Sequence, residues 1–121
     1  MSRSWVQVPP PAPALPTTRG ASHDVVRAGR LVFVSGCVAT DAAGWQVHEN
    51  LRRCLAAAGA TFADGCRVTV PLKNVADRDK VNLARREHFG PRRPASTLVE
   101  IARLVRKDLL VEIEATAVLP G

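Results

Sequence analysis

Apolar and polar residues alternate near the end of this chain, where Val111, Ile113, Ala115 and Ala117 interleave with Glu112, Glu114 and Thr116. A period of two marks a strand with one face in a core and the other toward a cleft, solvent or a neighbouring subunit. With the preceding run from Arg93 to Leu104, it predicts two strands, 93–104 and 109–118, joined by the charged turn Arg106-Lys107-Asp108. Glu112 and Glu114 then share the face opposite the apolar set. A solvated sheet surface accounts for such a face as well as a functional site does.

Upstream, Val25-Val26 and Leu31-Val32-Phe33-Val34 flank Ala28-Gly29-Arg30 and read as a hairpin. The turn signal Asp41-Ala42-Ala43-Gly44 precedes a short strand expected at Trp45-Gln46-Val47. A first helix is expected from Glu49 to Ala58, with Leu51, Cys54, Leu55 and Ala58 on one stripe and Gly59 as its C-terminal cap. Its start lacks a good N-cap, and about ten residues are few for covering a sheet.

Cys66, Val68, Val70 and Leu72 alternate onto one side of a further strand, where Pro71 marks an edge or a bulge. A second helix, capped by Asp77, carries Val81, Ala84 and His88 on one stripe and stops at Phe89-Gly90-Pro91. The order β-β-(β)-α-β-α-β-β gives an α+β fold, a mixed sheet with two helices on one face. The other face lacks an element to cover it, so burial between copies of the chain is the economical arrangement.

Five of the nine prolines fall in residues 1–20, which predicts a flexible or surface-lying arm. Residues 21–121 form a single domain, within the range one core serves. No apolar run approaches the roughly 18 residues of a membrane span, and no apolar stretch before the prolines resembles a secretory signal. Cys37, Cys54 and Cys66 are odd in number and lack Cys-x-x-Cys spacing. They suit a reducing, cytoplasmic compartment and the role of small buried hydrophobes.

The formal charge of +6 raises the question of nucleic acid. The basic residues are scattered, however, and a chain with no tyrosine offers a poor stacking platform, so a nucleic-acid partner is not expected. His23, His48 and His88 have no spacing that suggests a paired acid and base. His23-Asp24 is adjacent rather than spaced for one coordination sphere, so no metal is expected.

Val32-Phe33-Val34-Ser35-Gly36, Ala56-Ala57-Ala58-Gly59-Ala60, Val81-Asn82 and the long tail together resemble the Rid family, also called YjgF-like or "endoribonuclease L-PSP". The resemblance covers residues 20 to 119. It implies a chorismate-mutase-like fold and a homotrimer with clefts between subunits. In the RidA-like imine deaminases of the family, those clefts hydrolyse reactive enamines and 2-imino acids to a keto acid and ammonia, without metal or cofactor. A planar arginine fork suits the substrate carboxylate, and a glutamate can take a proton from the attacking water.

Carried over by position, the resemblance makes Glu112 the water-activating residue and places Ser35, Gly36 and Asn82 at the cleft. The deaminase pattern Pro-Ala-Arg-Ser-Cys/Thr-Val-Glu-Val meets Pro94-Ala95-Ser96-Thr97-Leu98-Val99-Glu100-Ile101 here. Ser96 therefore stands at the arginine position and Leu98 at the frequent cysteine. Ser22 falls at a position where tyrosine is usual. Arg93 is a nearby cation that could reach the cleft. The chain resembles subgroups without the arginine, in which imine hydrolysis by that route is not expected.

The resemblance leaves three readings. They are an imine-hydrolase relative binding a small carboxylate-bearing or carbonyl/imine metabolite, a trimeric ligand-binding or interaction module, and the ribonuclease or translation inhibitor of the older name. It also implies some fifteen family residues missing near His48-Glu49, so that the first helix is shortened near 48–50 and stability is lowered.

Overall fold

The computed structural model describes residues 5–8 and 25–121, with side chains described from Val25 onward. In chain order the elements are β1 (Trp5–Val8), β2 (Val25–Ala28), β3 (Leu31–Ala39), α1 (Trp45–Ala57), β4 (Gly65–Leu72), α2 (Arg78–Phe89), β5 (Ala95–Glu100) and β6 (Val111–Val118). They make one six-stranded mixed sheet of order β1-β2-β3-β6-β4-β5. The pairing is antiparallel except between β4 and β5. The arm expected over residues 1–20 contains a strand, because Trp5–Val8 pairs antiparallel with β2. The rest of that arm, with Ser22 and His23, lies outside the described residues.

Both helices lie on one face of the sheet. Val32, Val34, Cys37 and Ala39 of β3, Val68, Val70 and Leu72 of β4, and Val111, Ile113, Ala115 and Ala117 of β6 are buried there. They join Val47, Leu51, Cys54 and Leu55 of α1 and Val81 and Phe89 of α2 in one core. The alternation on β6 is thus realised, with Glu112 and Glu114 on the opposite, open face.

The two tail strands are not neighbours. β5 runs parallel beside β4 at the sheet edge, and β6 inserts between β3 and β4. The connecting segment 101–110 is a crossover rather than a tight turn. Its Leu104 and Leu109 pack with Val38 in a second, smaller cluster. Val38 lies on the open face beside Glu112, so this crossover supplies cover that the element count did not provide.

Other expectations need correcting. Trp45-Gln46-Val47 is the first turn of α1, which starts four residues before Glu49. Asp41 serves that start from a distance: its carboxylate accepts from Ala43 N at 2.9 Å and Gln46 N at 3.4 Å. Gly44 then turns the chain at φ 81°, and a Cβ there would lie 3.1 Å from Val81 Cα. Asp77 makes no side-chain cap on α2. Asn74 instead accepts from Ala76 N at 2.9 Å, capping the short 3₁₀ turn that leads in.

Pro71 sits in an interior strand, between β6 and β5. The ladder to β6 steps from Thr69–Glu114 to Leu72–Val111 without a paired residue at Val70 or Pro71, where proline has no N–H to give. Cys37 and Cys54 are buried as expected, but Cys66 is exposed. The register shifts between Gly65 and Arg67, and the extra residue of that bulge is Cys66, lifted off the core side.

Candidate functional site

A second bulge shapes the open face. On β3 the register passes from Val34–Ala115 to Cys37–Ile113, so Ser35 and Gly36 together oppose one residue of β6. The odd-even pattern of burial switches there, from Val32 and Val34 to Cys37 and Ala39. Ser35 and Gly36 consequently both belong to the open face, alongside Glu112 and Glu114.

Gly36 is required by what lies above it. A Cβ at that position would fall on the Glu112 carboxylate and within 2.9 Å of Glu112 Cγ. Glu112 is half-buried, and burial first, then the charge of Glu114, pushes its carboxyl above the usual range. A carboxyl tuned upward in a recess can accept a proton from water more readily than a fully solvated one. Beneath the bulge, Cys37 and Cys54 approach to 3.8 Å between sulfurs. The contact with Cys54, with burial, raises the Cys37 thiol.

The remaining predicted residues lie on the other side of the sheet or at its edge. Ser96 and Leu98 pair with Val68 and Val70 and share their helix-side direction. Leu98 packs on the core, and Glu100 accepts from Val75 N at 3.3 Å. Ser96 is exposed. Asn82 is half-buried on α2, and Arg93 is exposed beside the end of that helix. Burial, followed by the charges of Arg93 and Arg86, lowers the pKa of Arg85. One chain therefore separates Ser35, Gly36 and Glu112 from Asn82, Arg93, Ser96 and Leu98.

The open face also holds Arg67 and Thr69, beside Ser35 and Glu114. A concavity of about 440 Å³ is lined by Phe33, Ser35, Arg67, Thr69, Glu114 and Thr116, among others. Thr69 sits across from Glu114, and Arg67 across from Thr116. Alternation on β4 carried the signal for Arg67 and Thr69, but only the register reveals which strand they face.

The histidines are engaged elsewhere. His48 is fully buried, with Nδ1 2.7 Å from Gly44 O. Burial is the main reason its pKa falls to about 4. His88 bridges Ala84 O at 2.7 Å and Glu49 Oε2 at 2.8 Å. Its ring stacks on His48 with centroids 5.1 Å apart. Both belong to the packing of α1 on α2. No group of three or more potential metal ligands occurs among the described residues, and no helix there is long and apolar enough to cross a membrane.

Comparison with known proteins gives the same fold and family. Residues 13–119 match the Endoribonuclease L-PSP family. The chain is 36% identical over 114 residues to RutC family protein PH0854 of Pyrococcus horikoshii, covering 84% of this chain and 90% of the relative. It is 30% identical over 115 residues to the 2-iminobutanoate/2-iminopropanoate deaminase of Rattus norvegicus, covering 85% and 83%. The crystal structure of Rv2704 from Mycobacterium tuberculosis, of the YjgF/YER057c/UK114 family, superposes with a TM-score of 0.78 at 29% identity, covering 98% of this chain and 100% of that one. This chain belongs to the Endoribonuclease L-PSP family, the YjgF or Rid family, and its α+β architecture is that family's fold.

Proposed function

We propose that this protein binds a small carbonyl- or imine-bearing carboxylate in clefts formed between copies of the chain, and that Glu112 activates water there. The observation that carries the reading is the seating of the Glu112 carboxylate over Gly36, in a recess that raises its proton affinity. In the reaction, water adds its oxygen to the imine carbon as Glu112 accepts a proton. That proton passes to the nitrogen to give a carbinolamine; Glu112 then carries the hydroxyl proton to the same nitrogen as the carbon–oxygen double bond forms and the carbon–nitrogen bond breaks, and the products are a keto acid and ammonia.

The split placement of the site residues supports assembly between copies. Ser35, Gly36 and Glu112 occupy the open face, while Ser96 and Leu98 belong to the edge strand's helix side. A homotrimer in which one subunit's edge meets another's open face would unite them. The named activity of the rat relative supports the substrate class.

A second reading follows from Ser96. Its short, exposed hydroxyl provides no cation at the position where the deaminase pattern has arginine, which favours a ligand-binding module without hydrolysis. The ribonuclease reading gains nothing from His48 and His88, which are committed to helix packing.

The deciding experiment generates 2-aminoacrylate in situ and follows keto-acid release. Acceleration by the protein, lost in Glu112→Gln, is the expected result. Equal rates with and without protein would leave the binding-module reading in its place. Light scattering tests assembly, and a stable monomer would overturn the cleft between copies.

A further inference from the structure

We propose that Cys37 and Cys54 form a reversible redox switch: a hydroperoxide joins them in a disulfide, and the bond draws the β3 bulge away from Glu112. The pair stands whether or not Glu112 activates water, because it rests on contacts on the helix side of the sheet.

The two sulfurs come from different elements. Cys37 lies on β3 directly after Gly36, Cys54 lies on α1, and both are fully buried. Their sulfurs are 3.8 Å apart. A disulfide needs about 2.0 Å, so they must close by about 1.8 Å. Both residues belong to the close-packed core, where side chains have little room to rearrange. The approach is therefore passed to the backbone of the bulge, the least regular part of β3.

That backbone is the floor under Glu112. Cys37 Sγ lies 3.7 Å from Ser35 O, and Gly36 provides the space in which the Glu112 carboxylate sits. The charge of Glu112 is itself one of the causes that raise the Cys37 thiol. Cys37 points toward α1 and Glu112 toward the open face, so a pull on Cys37 lowers Gly36 and opens the recess.

The contact with Cys54 is the first cause holding the Cys37 proton in place, ahead of burial. Cys37 therefore serves as the S–H donor, and the Cys54 sulfur is the nucleophile. That sulfur attacks an oxygen of the hydroperoxide. The oxygen–oxygen bond breaks, an alcohol or water leaves, and Cys54 becomes a sulfenic acid. The Cys37 sulfur then attacks the Cys54 sulfur, its proton joins the departing hydroxyl as water, and the disulfide forms. The two thiols lose two electrons, which the peroxide gains. Access comes through α1, which has no acidic residue in its first turn and no basic residue in its last. Brief opening of such a helix admits hydrogen peroxide, though not a bulky alkylating reagent.

The test uses the full chain with Cys66→Ser, which removes the exposed thiol. After hydrogen peroxide, the expected product is lighter by two hydrogens, with the peptides of Cys37 and Cys54 joined. Dithiothreitol should restore the original mass. Glu112 is read separately, from its carboxyl-carbon shift against pH. Its midpoint, raised in the reduced fold chiefly by burial, should fall toward the ordinary glutamate value on oxidation and return on reduction. Cys54→Ala, or Cys37→Ala should the first not fold, should leave that midpoint unmoved by peroxide. Two intact thiols, or sulfinic acids without joined peptides, would overturn the switch. So would a disulfide that leaves the midpoint in place, or a peroxide-dependent shift in the alanine variant.

Hydrolysis gives a third readout. Oxidation should lower keto-acid release by on the order of a hundredfold through displacement of the base, and dithiothreitol should recover it. A disulfide and a moved midpoint without hydrolysis in either state keep the switch and remove the enzyme reading. Undiminished hydrolysis by the oxidised protein removes the switch and leaves the enzyme.

Discussion

Gly36 leaves the space that the Glu112 carboxylate occupies. Substituting Gly36→Ala would drive a methyl group into Glu112 Oε1 and Cδ. The glutamate is flexible and half-buried, so it can move aside and the fold should survive. The expected outcome is a melting temperature within a few degrees of wild type, with Glu112-dependent keto-acid release reduced about a hundredfold through misplacement of the base. Retained activity would separate the glycine from the position of the glutamate.

Acid should weaken the fold through His48. Its pKa is about 4 in the fold and near the ordinary 6.5 when unfolded. Between those values the unfolded chain takes up a proton that the native chain does not. Stability therefore falls as pH drops through this window, by about 3 kcal/mol at most. Glu112 works in the opposite sense. Its carboxyl is raised in the fold, so its own contribution improves on acidification. Melting at pH 7 and pH 4.5 should show a larger drop for wild type than for His48→Asn, whose amide nitrogen takes the place of Nδ1 as donor to Gly44 O. Equal drops would assign the acid sensitivity elsewhere.

The three thiols should divide two to one. Cys37 and Cys54 are buried and in contact, whereas Cys66 stands out at the β4 bulge. A thiol reagent added to native protein should modify Cys66 alone, with the others reacting only after unfolding. Mass mapping of the modified peptides checks this, and rapid labelling of Cys37 would contradict the packing of α1 on β3.

Ser96→Arg should be tolerated, because the serine is exposed on the edge strand and forms no part of the core. Stability should change by no more than about 0.5 kcal/mol. If the clefts form between copies as proposed, the variant should gain or increase imine hydrolysis. No gain, with the assembly intact, would place the limitation outside the anchoring cation.

The chain disclosed its strands wherever one face meets the core and the other does not. Val111 to Ala117 therefore gave both the element and its buried side. It hid what depends on pairing. A strand's alternation is indifferent to its neighbours, so the separation of β5 from β6 and the interior place of Pro71 emerged only with the topology. The bulges are hidden for a related reason: one inserted residue reverses the parity, so Cys66 is exposed although plain alternation assigns it to the core side. The short apolar group Trp45-Gln46-Val47 is compatible with either regular structure. Gly44 and Asp41 resolve it toward helix by setting the backbone before it. The site residues were identified by resemblance, whereas Arg67 carried no local mark and required the register.

The bulge at Ser35 and Gly36 has a consequence for how β3 tolerates change. A uniform strand can slide along its partner by two residues and still bury the same kind of side chain. β3 cannot, because its two halves present opposite parities to the core and are joined where Gly36 lies under Glu112. A slide would carry Gly36 away from Glu112, bring a side chain beneath that carboxylate and put the change of parity at the wrong place on β6. The irregularity therefore acts as an indexing notch, fixing the alignment of β3 against β6 at the point where the chemistry is expected to occur.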